Sequence, residues 1–235
     1  MFGLTIGNKH TYNDFDLIMT KYYIPEPEVK RNVIDLPFAS GSIDITDATG
    51  ETPYADRDGL EFEFVKKDGD YSGWDSIVQD LAMHLHGKSL HMISDNDTAY
   101  YYVVRLQVDW NKSNKHWGTI VLSGTAEPFK YSIVASNEPW IWDTFNFVNG
   151  IINSTSDLVI NGGRTVVLSA GGILTPPTFT VTQTNGLGIR YGSKILQMNR
   201  NGKYKFPQIK VGESAYTIEF VGSGRVSIEY RGRYL

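Results

Sequence analysis

With 235 residues, 41 % of them apolar and 13 % aromatic, and 23 Gly spread along it, the chain has material for two compact cores of roughly 100 to 130 residues each, which argues against a disordered polymer. It has no Cys, so disulfides, thiolate metal sites and cysteine nucleophiles are excluded; with no apolar run of about 18 residues and no basic-then-apolar start, neither a membrane span nor a signal peptide is expected. The net charge of −4 is too small for a nucleic-acid binder, but it is uneven: residues 1–130 carry 12 Lys+Arg against 20 Asp+Glu, and residues 131–235 carry 10 against 6.

In chain order, Leu4 to Gly7 and then Phe15, Leu17 and Met19 alternate with polar neighbours, the signature of half-buried strands. The segment Ile24 to Pro37 contains prolines that disfavour helix and alternating Val and Ile that favour extended chain. It reads as a strand entering a protruding hairpin whose return leg is Gly41 to Thr46. Leu60 to Val65 alternates at period 2 and is a strand. From Ser72 the period becomes helical: Trp74, Ile77, Val78, Leu81 and Leu85 fall on one face, with Ser72 placed to cap and Gly87 to terminate. Leu90 to Ile93, Ala99 to Val108 and Gly118 to Gly124 read as a meander with a polar hairpin tip at Asn111 to Lys115. Thr125 to Tyr131 looks like a domain ending, which divides the chain into 1–130 and 131–235.

The second part is punctuated by Asn149-Gly150, Asn161-Gly162-Gly163, Gly171-Gly172, Asn185-Gly186 and Asn201-Gly202, turn sequences at hairpin-like spacing. Between them lie short strand candidates: Leu158 to Ile160, Val166 to Leu168, Phe179 to Val181, Ile195 to Met198, Tyr216 to Phe220 and Val226 to Tyr230. Such spacing predicts a β-sandwich or jelly roll, so the fold class is mainly β with one α-helix.

Chemistry-bearing patterns are weak. His84, His86 and His91 form the most metal-like group, but two histidines two apart on a helix point to different faces, so a structural or solvent-facing role is favoured and no metal is expected. Asp95-Asn96-Asp97 opens like a calcium loop yet lacks the Gly at position six and the Glu at position twelve, and reads as a turn. Asp56, Asp58, Glu61 and Glu63 offer carboxylates, but on what reads as a solvated strand face. No nucleophile elbow, phosphate loop or HExxH pattern occurs, so neither an enzyme nor a cofactor is expected. Trp140, Trp142, Tyr191 and Tyr204 are aromatics that either stack on sugar rings, as in a carbohydrate-binding sandwich, or fill an inter-domain seam.

Five segments in register resemble the distal tail protein (Dit) family of siphophages over nearly the whole chain. They are Pro37 to Thr46 (PFASGSIDIT); Tyr54 to Phe64 (YADRDGLEFEF) followed by a helix ending Leu85-His86-Gly87-Lys88; Tyr101 to Leu106; Glu127 to Tyr131 (EPFKY); and the close Val226 to Leu235, where Arg233-Tyr234 departs from the small residues usual there. The resemblance implies a ring-forming N-terminal β-sandwich with one helix and a hairpin that embraces its neighbour, and an outer C-terminal galectin-like sandwich. It further implies a homo-hexamer, in single or stacked rings, at the virion tail tip. The partners it implies are the major tail tube protein, the tape measure or tail-hub protein with its associated lysin, and a receptor-binding protein. Val29, Val33, Ile34, Leu36, Phe38, Ile43 and Ile45 are then the expected oligomer interface, because they are too apolar for a free loop. The acidic first part suits a channel that DNA traverses without stable binding, since a wall poor in Lys and Arg cannot hold phosphates.

Overall fold

Alternating residues of the first part become the strands of one curled sheet. The computed structural model describes residues 2–38, 40–48, 50–114, 117–138 and 155–235, which fall into two compact units, Met1–Lys130 with Leu235, and Tyr131–Tyr234. In the first unit the strands are β1 (Leu4–Ile6), β2 (Lys9–His10), β3 (Leu17–Tyr23), β6 (Arg57–Lys66), β7 (Ser89–Ser94), β8 (Asp97–Asn114) and β9 (Trp117–Ser132). They run in the order β2-β1-β7-β8-β9-β6-β3, and a separate two-stranded ribbon joins β4 (Val33–Asp35) to β5 (Ser42–Asp44).

The core follows the pleat. On β6, Leu60, Phe62 and Phe64 are fully buried while Glu61 and Glu63 lie between them on the other face. Strict alternation would have turned Arg57 outward, but a register shift against β9 between Asp58 and Leu60 inserts one residue, Gly59. Arg57 therefore points inward with the phenylalanines, and Asp58 shares the outer face with Glu61 and Glu63.

The helix α1 (Trp74–Leu85) buries Trp74, Val78, Leu81 and Leu85, one stripe at i, i+4, i+7 and i+11. Each side chain so covered contributes about 1.5 to 3 kcal/mol, which anchors a rod some 18 Å long on the sheet. Ile77 is only partly buried at the edge of this stripe. Ser72 does not cap the helix: the cap position is Gly73, with no side-chain hydrogen bond. Instead the Ser72 N–H and hydroxyl both donate to Asp70, 3.0 Å each, so a local turn outcompetes the cap and holds the Asp70 carboxyl below the usual carboxylate range. Gly87, at φ 71°, ends the helix in the left-handed conformation. Of the expected hairpin tip, residues 111–114 lie in strand β8, where backbone pairing overrides their polar composition, and Lys115 lies outside the described residues.

The second unit contains β10 (Leu158–Ile160), β11 (Gly163–Leu168), β12 (Thr178–Tyr191), β13 (Lys194–Gln197), β14 (Gly202–Lys205) and β15 (Tyr216–Glu229). The strands β12 and β15 form the spine, with β10 and β11 on the far side of β15 and β13 and β14 on the far side of β12. Two expectations are corrected here. Asn185-Gly186 is no hairpin turn but lies within the 14-residue β12, and Tyr216 to Phe220 and Val226 to Glu229 are not two strands but parts of one 14-residue strand, β15, which ends just before Tyr230. Register shifts at Val181/Gln183 and Asn185/Gly188 show that the turn-forming dipeptide is used as a bulge, which bends the pair instead of reversing it.

The bend depends on glycine at the contact. A Cβ on Gly222, whose φ is 80°, would sit 2.0 Å from the Gly186 carbonyl oxygen. Backbone strain of about 1 to 2 kcal/mol and overpacking of about 1 to 3 kcal/mol combine in Gly222→Ala. We expect a loss of roughly 2 to 5 kcal/mol, read as a lower urea midpoint; an unchanged midpoint would contradict this description of the bend. Around the spine, Phe179, Val181, Ile189, Ile218, Phe220, Val226 and Ile228 close the second core with Leu168, Met198 and Val211.

Candidate assembly arm

The segment between β3 and β6 leaves the first unit as an arm built in stages. At its base Val29 bridges to Tyr54, the Lys30 N–H donates to the Pro53 carbonyl (2.8 Å) and the Ala55 N–H to the Glu28 carbonyl (2.8 Å). Further out the Ile45 N–H donates to the Asn32 carbonyl (2.9 Å), while the Asn32 N–H donates to the Thr46 hydroxyl (2.9 Å). The ribbon follows, pairing Val33 with Asp44, Ile34 with Ile43 and Asp35 with Ser42. Hydrogen bonds from the Thr46 hydroxyl and backbone N–H, with Arg31 nearby, hold the Asp44 carboxyl below its ordinary range. At the tip Phe38 has a φ of 63° and is 110 % exposed.

All seven residues expected at an oligomer interface, Val29, Val33, Ile34, Leu36, Phe38, Ile43 and Ile45, are exposed in the single chain. Successive residues of a strand face opposite ways, so Val33 and Ile34 leave both faces of the ribbon apolar. Among the described residues these side chains stay exposed, and apolar surface of this kind is a candidate contact surface.

The root of the arm is held by Arg57, which is 1 % exposed. Its Nε donates to the Pro128 carbonyl (3.0 Å) and its Nη1 to the Pro25 carbonyl (2.7 Å), with a longer contact to the exposed Glu26 carboxylate (3.2 Å). The guanidinium lies over the Tyr102 ring at 5.5 Å, and Tyr54 meets Phe129 edge-on at 5.8 Å. Nη2 is buried without a hydrogen-bond partner among the described residues, so the guanidinium is not fully satisfied at this joint. No sequence pattern singled out Arg57 as the pin of the arm, because only the Gly59 bulge turns it inward.

Burial pushes the Tyr102 hydroxyl up to about 12, against a counteracting effect of Arg57. The raised value means that the folded form keeps a proton which the unfolded chain loses near pH 10. Stability from this group is therefore complete below pH 10 and disappears as pH rises towards 12. Urea titrations between pH 9 and 12 should show a steeper decline for the wild type than for Tyr102→Phe; parallel curves would contradict the assignment.

The other singled-out residues are dispersed. His84 Nε2 meets the Ile6 carbonyl at 2.8 Å, His86 Nδ1 accepts the Val108 N–H at 3.0 Å, and the His91 ring packs on Tyr101 at 4.3 Å. Among the described residues no group of three His, Cys, Asp or Glu could hold a metal ion. Asp95 accepts the Gly3 N–H (2.9 Å) and faces His10 Nε2 (3.1 Å), in the turn between β7 and β8. Lys21 reaches Glu61 at 2.7 Å and Glu63 at 3.8 Å. Tyr191 is exposed at the end of β12, whereas Tyr204 pairs with Phe179 near the other end. Tyr204 stacks on Phe206 and its hydroxyl donates to the Arg200 carbonyl at 2.8 Å, so the two tyrosines do not form one platform. Trp140 and Trp142 lie outside the described residues.

No family model matches the chain, and no curated protein matches it. Among solved structures, the chain is similar to the Dit protein (gp 19.1) of phage SPP1, described as a paradigm of the hub adsorption apparatus in phages that infect Gram-positive bacteria. The two share 10 % identity, with a TM-score of 0.62 over 100 % of each chain. The chain has a Dit-like fold, mainly β, with curled sheets and, among the described residues, one α-helix.

Proposed function

We propose that this chain is a structural, non-enzymatic subunit of a bacteriophage tail tip, and that copies of it close into a ring by laying the arm of one on the body of the next. The observation that carries the reading is the arm itself: seven exposed apolar side chains on a ribbon with two apolar faces, set on a fold shared end to end with a phage hub protein. A heterologous contact, in which one patch meets a different patch on the next copy, makes a closed ring when the rotation suits. The sequence resemblance to the distal tail family implies six copies, a place between the tail tube and the tip, and contacts with tube, hub and receptor-binding proteins, and the likeness to a hub protein supports a role in such an assembly. It also favours a galectin-like second unit on the outside.

The deciding measurement is native mass by mass photometry at micromolar concentration. A multiple of 26.4 kDa supports the reading, six-fold for the hexamer, and a single copy at all concentrations overturns it. If the ring surrounds a DNA channel, its acidic first part should not retain the duplex. Wall carboxylates more than about 8 Å from DNA are screened at physiological salt, so the expectation is passage without adhesion. Tight binding of linear duplex by the purified multimer at moderate salt would count against the channel.

A further inference from the structure

We infer that a groove between α1 and β8 is the receptacle for the tip of the neighbouring copy's arm, an assignment that rests on the ring reading above. The groove has a volume of about 590 Å³ and is lined by Val78, Ala82, Met83, Val108 and Trp110, with His86 and Lys88 at its rim. Met83 is 72 % exposed and Trp110 50 % exposed, an unusual outlay of large apolar surface next to a well-filled core.

The occupant is argued from the chain itself. The arm's tip offers Leu36, Pro37 and Phe38, and Phe38 is a non-glycine residue held in the left-handed region with its ring wholly in water. Both features are unfavourable in the isolated chain, and a pocket of this size accommodates the ring and a neighbouring side chain. Met83 and Trp110 are suited to receive it, since a thioether and an indole both pack well on a phenyl ring. The charges agree: Asp35 precedes the tip by three residues, and Lys88 stands at the groove. The arm does not cover this groove in its own chain, because its seven apolar residues and Met83 are exposed together, so an arm tip seated there belongs to another copy.

The chain has no Cys, which gives a direct test. The double variant Phe38→Cys/Met83→Cys is oxidised mildly and run on a denaturing, non-reducing gel beside Phe38→Cys/Val167→Cys, whose second position is also exposed (54 % against 72 % for Met83) but lies in the other unit. A disulfide needs Cα atoms within about 7 Å, so only true neighbours link efficiently. We expect a ladder of covalent multimers in the first variant, at least ten-fold more abundant than in the second. A link formed within one chain, seen as a faster-migrating monomer, overturns the assignment. So does a ladder no stronger than the control's while the native mass remains multimeric; that result leaves the ring standing and assigns the groove to a different occupant. A native mass of one copy overturns both.

Discussion

Replacing Ile34 and Phe38 together by Asp is expected to leave a folded monomer of 26.4 kDa, where the proposed ring gives the unaltered chain a multiple of that mass. Both side chains are exposed in the single chain, so neither contributes to its core, and the thermal unfolding of the two units should barely move. In the assembled state each side chain, if covered by a neighbour, contributes about 1.5 to 3 kcal/mol. Losing both removes roughly 3 to 6 kcal/mol per contact, a weakening of about 10² to 10⁴ in affinity before the burial of a new charge is considered. Mass photometry across a hundred-fold dilution series separates the outcomes. An Asp variant that keeps the wild-type mass would mean that the arm is not the contact.

Arg57→Met is expected to loosen the arm from its root and lower the stability of the first unit by about 2 to 4 kcal/mol, each orphaned buried carbonyl costing about 1 to 3 kcal/mol. The two carbonyls are those of Pro25 and Pro128, which lose their donors, while relief from burying the cation offsets part of the loss. Glu26 matters little to this balance. Its carboxylate is 79 % exposed, so Glu26→Gln should change stability by less than about 0.5 kcal/mol. Arg57→Lys should not rescue, because a single ammonium nitrogen replaces two separated donors, Nε to Pro128 and Nη1 to Pro25, and has no flat face to lie on Tyr102. Urea midpoints of the three variants test the ranking Arg57→Met near Arg57→Lys, both far below Glu26→Gln; a lysine variant as stable as the wild type would refute the fork geometry.

How much of this could be read from residues alone depends on which interactions are local. The stripe Trp74, Val78, Leu81, Leu85 and the alternation Leu60, Phe62, Phe64 are periodic over a few residues, and periodicity survives into the folded chain because one face must be buried. The arm was legible for a related reason: Val33, Ile34 and Ile43 between prolines and charged residues have no local partner to satisfy them. What stayed hidden was set by contacts that no periodicity shows, close by at Ser72 and distant in sequence elsewhere. Ser72 is drawn off its capping role by Asp70, and Asn185-Gly186 bends a strand instead of reversing it because Gly222 lets the facing backbone approach. Arg57 and the α1/β8 groove belong to the same class, since one needs the Gly59 bulge and the other needs a helix and a strand brought together.

A ribbon that is greasy on both sides cannot be parked safely. If copies close into the proposed ring, newly made ones race between orderly closure and indiscriminate clumping, and the faster route is decided by how many are present and how soon they meet. Expression yield should then fall when copies are produced at a trickle or crowded without time to pair, and rise when synthesis and closure keep pace.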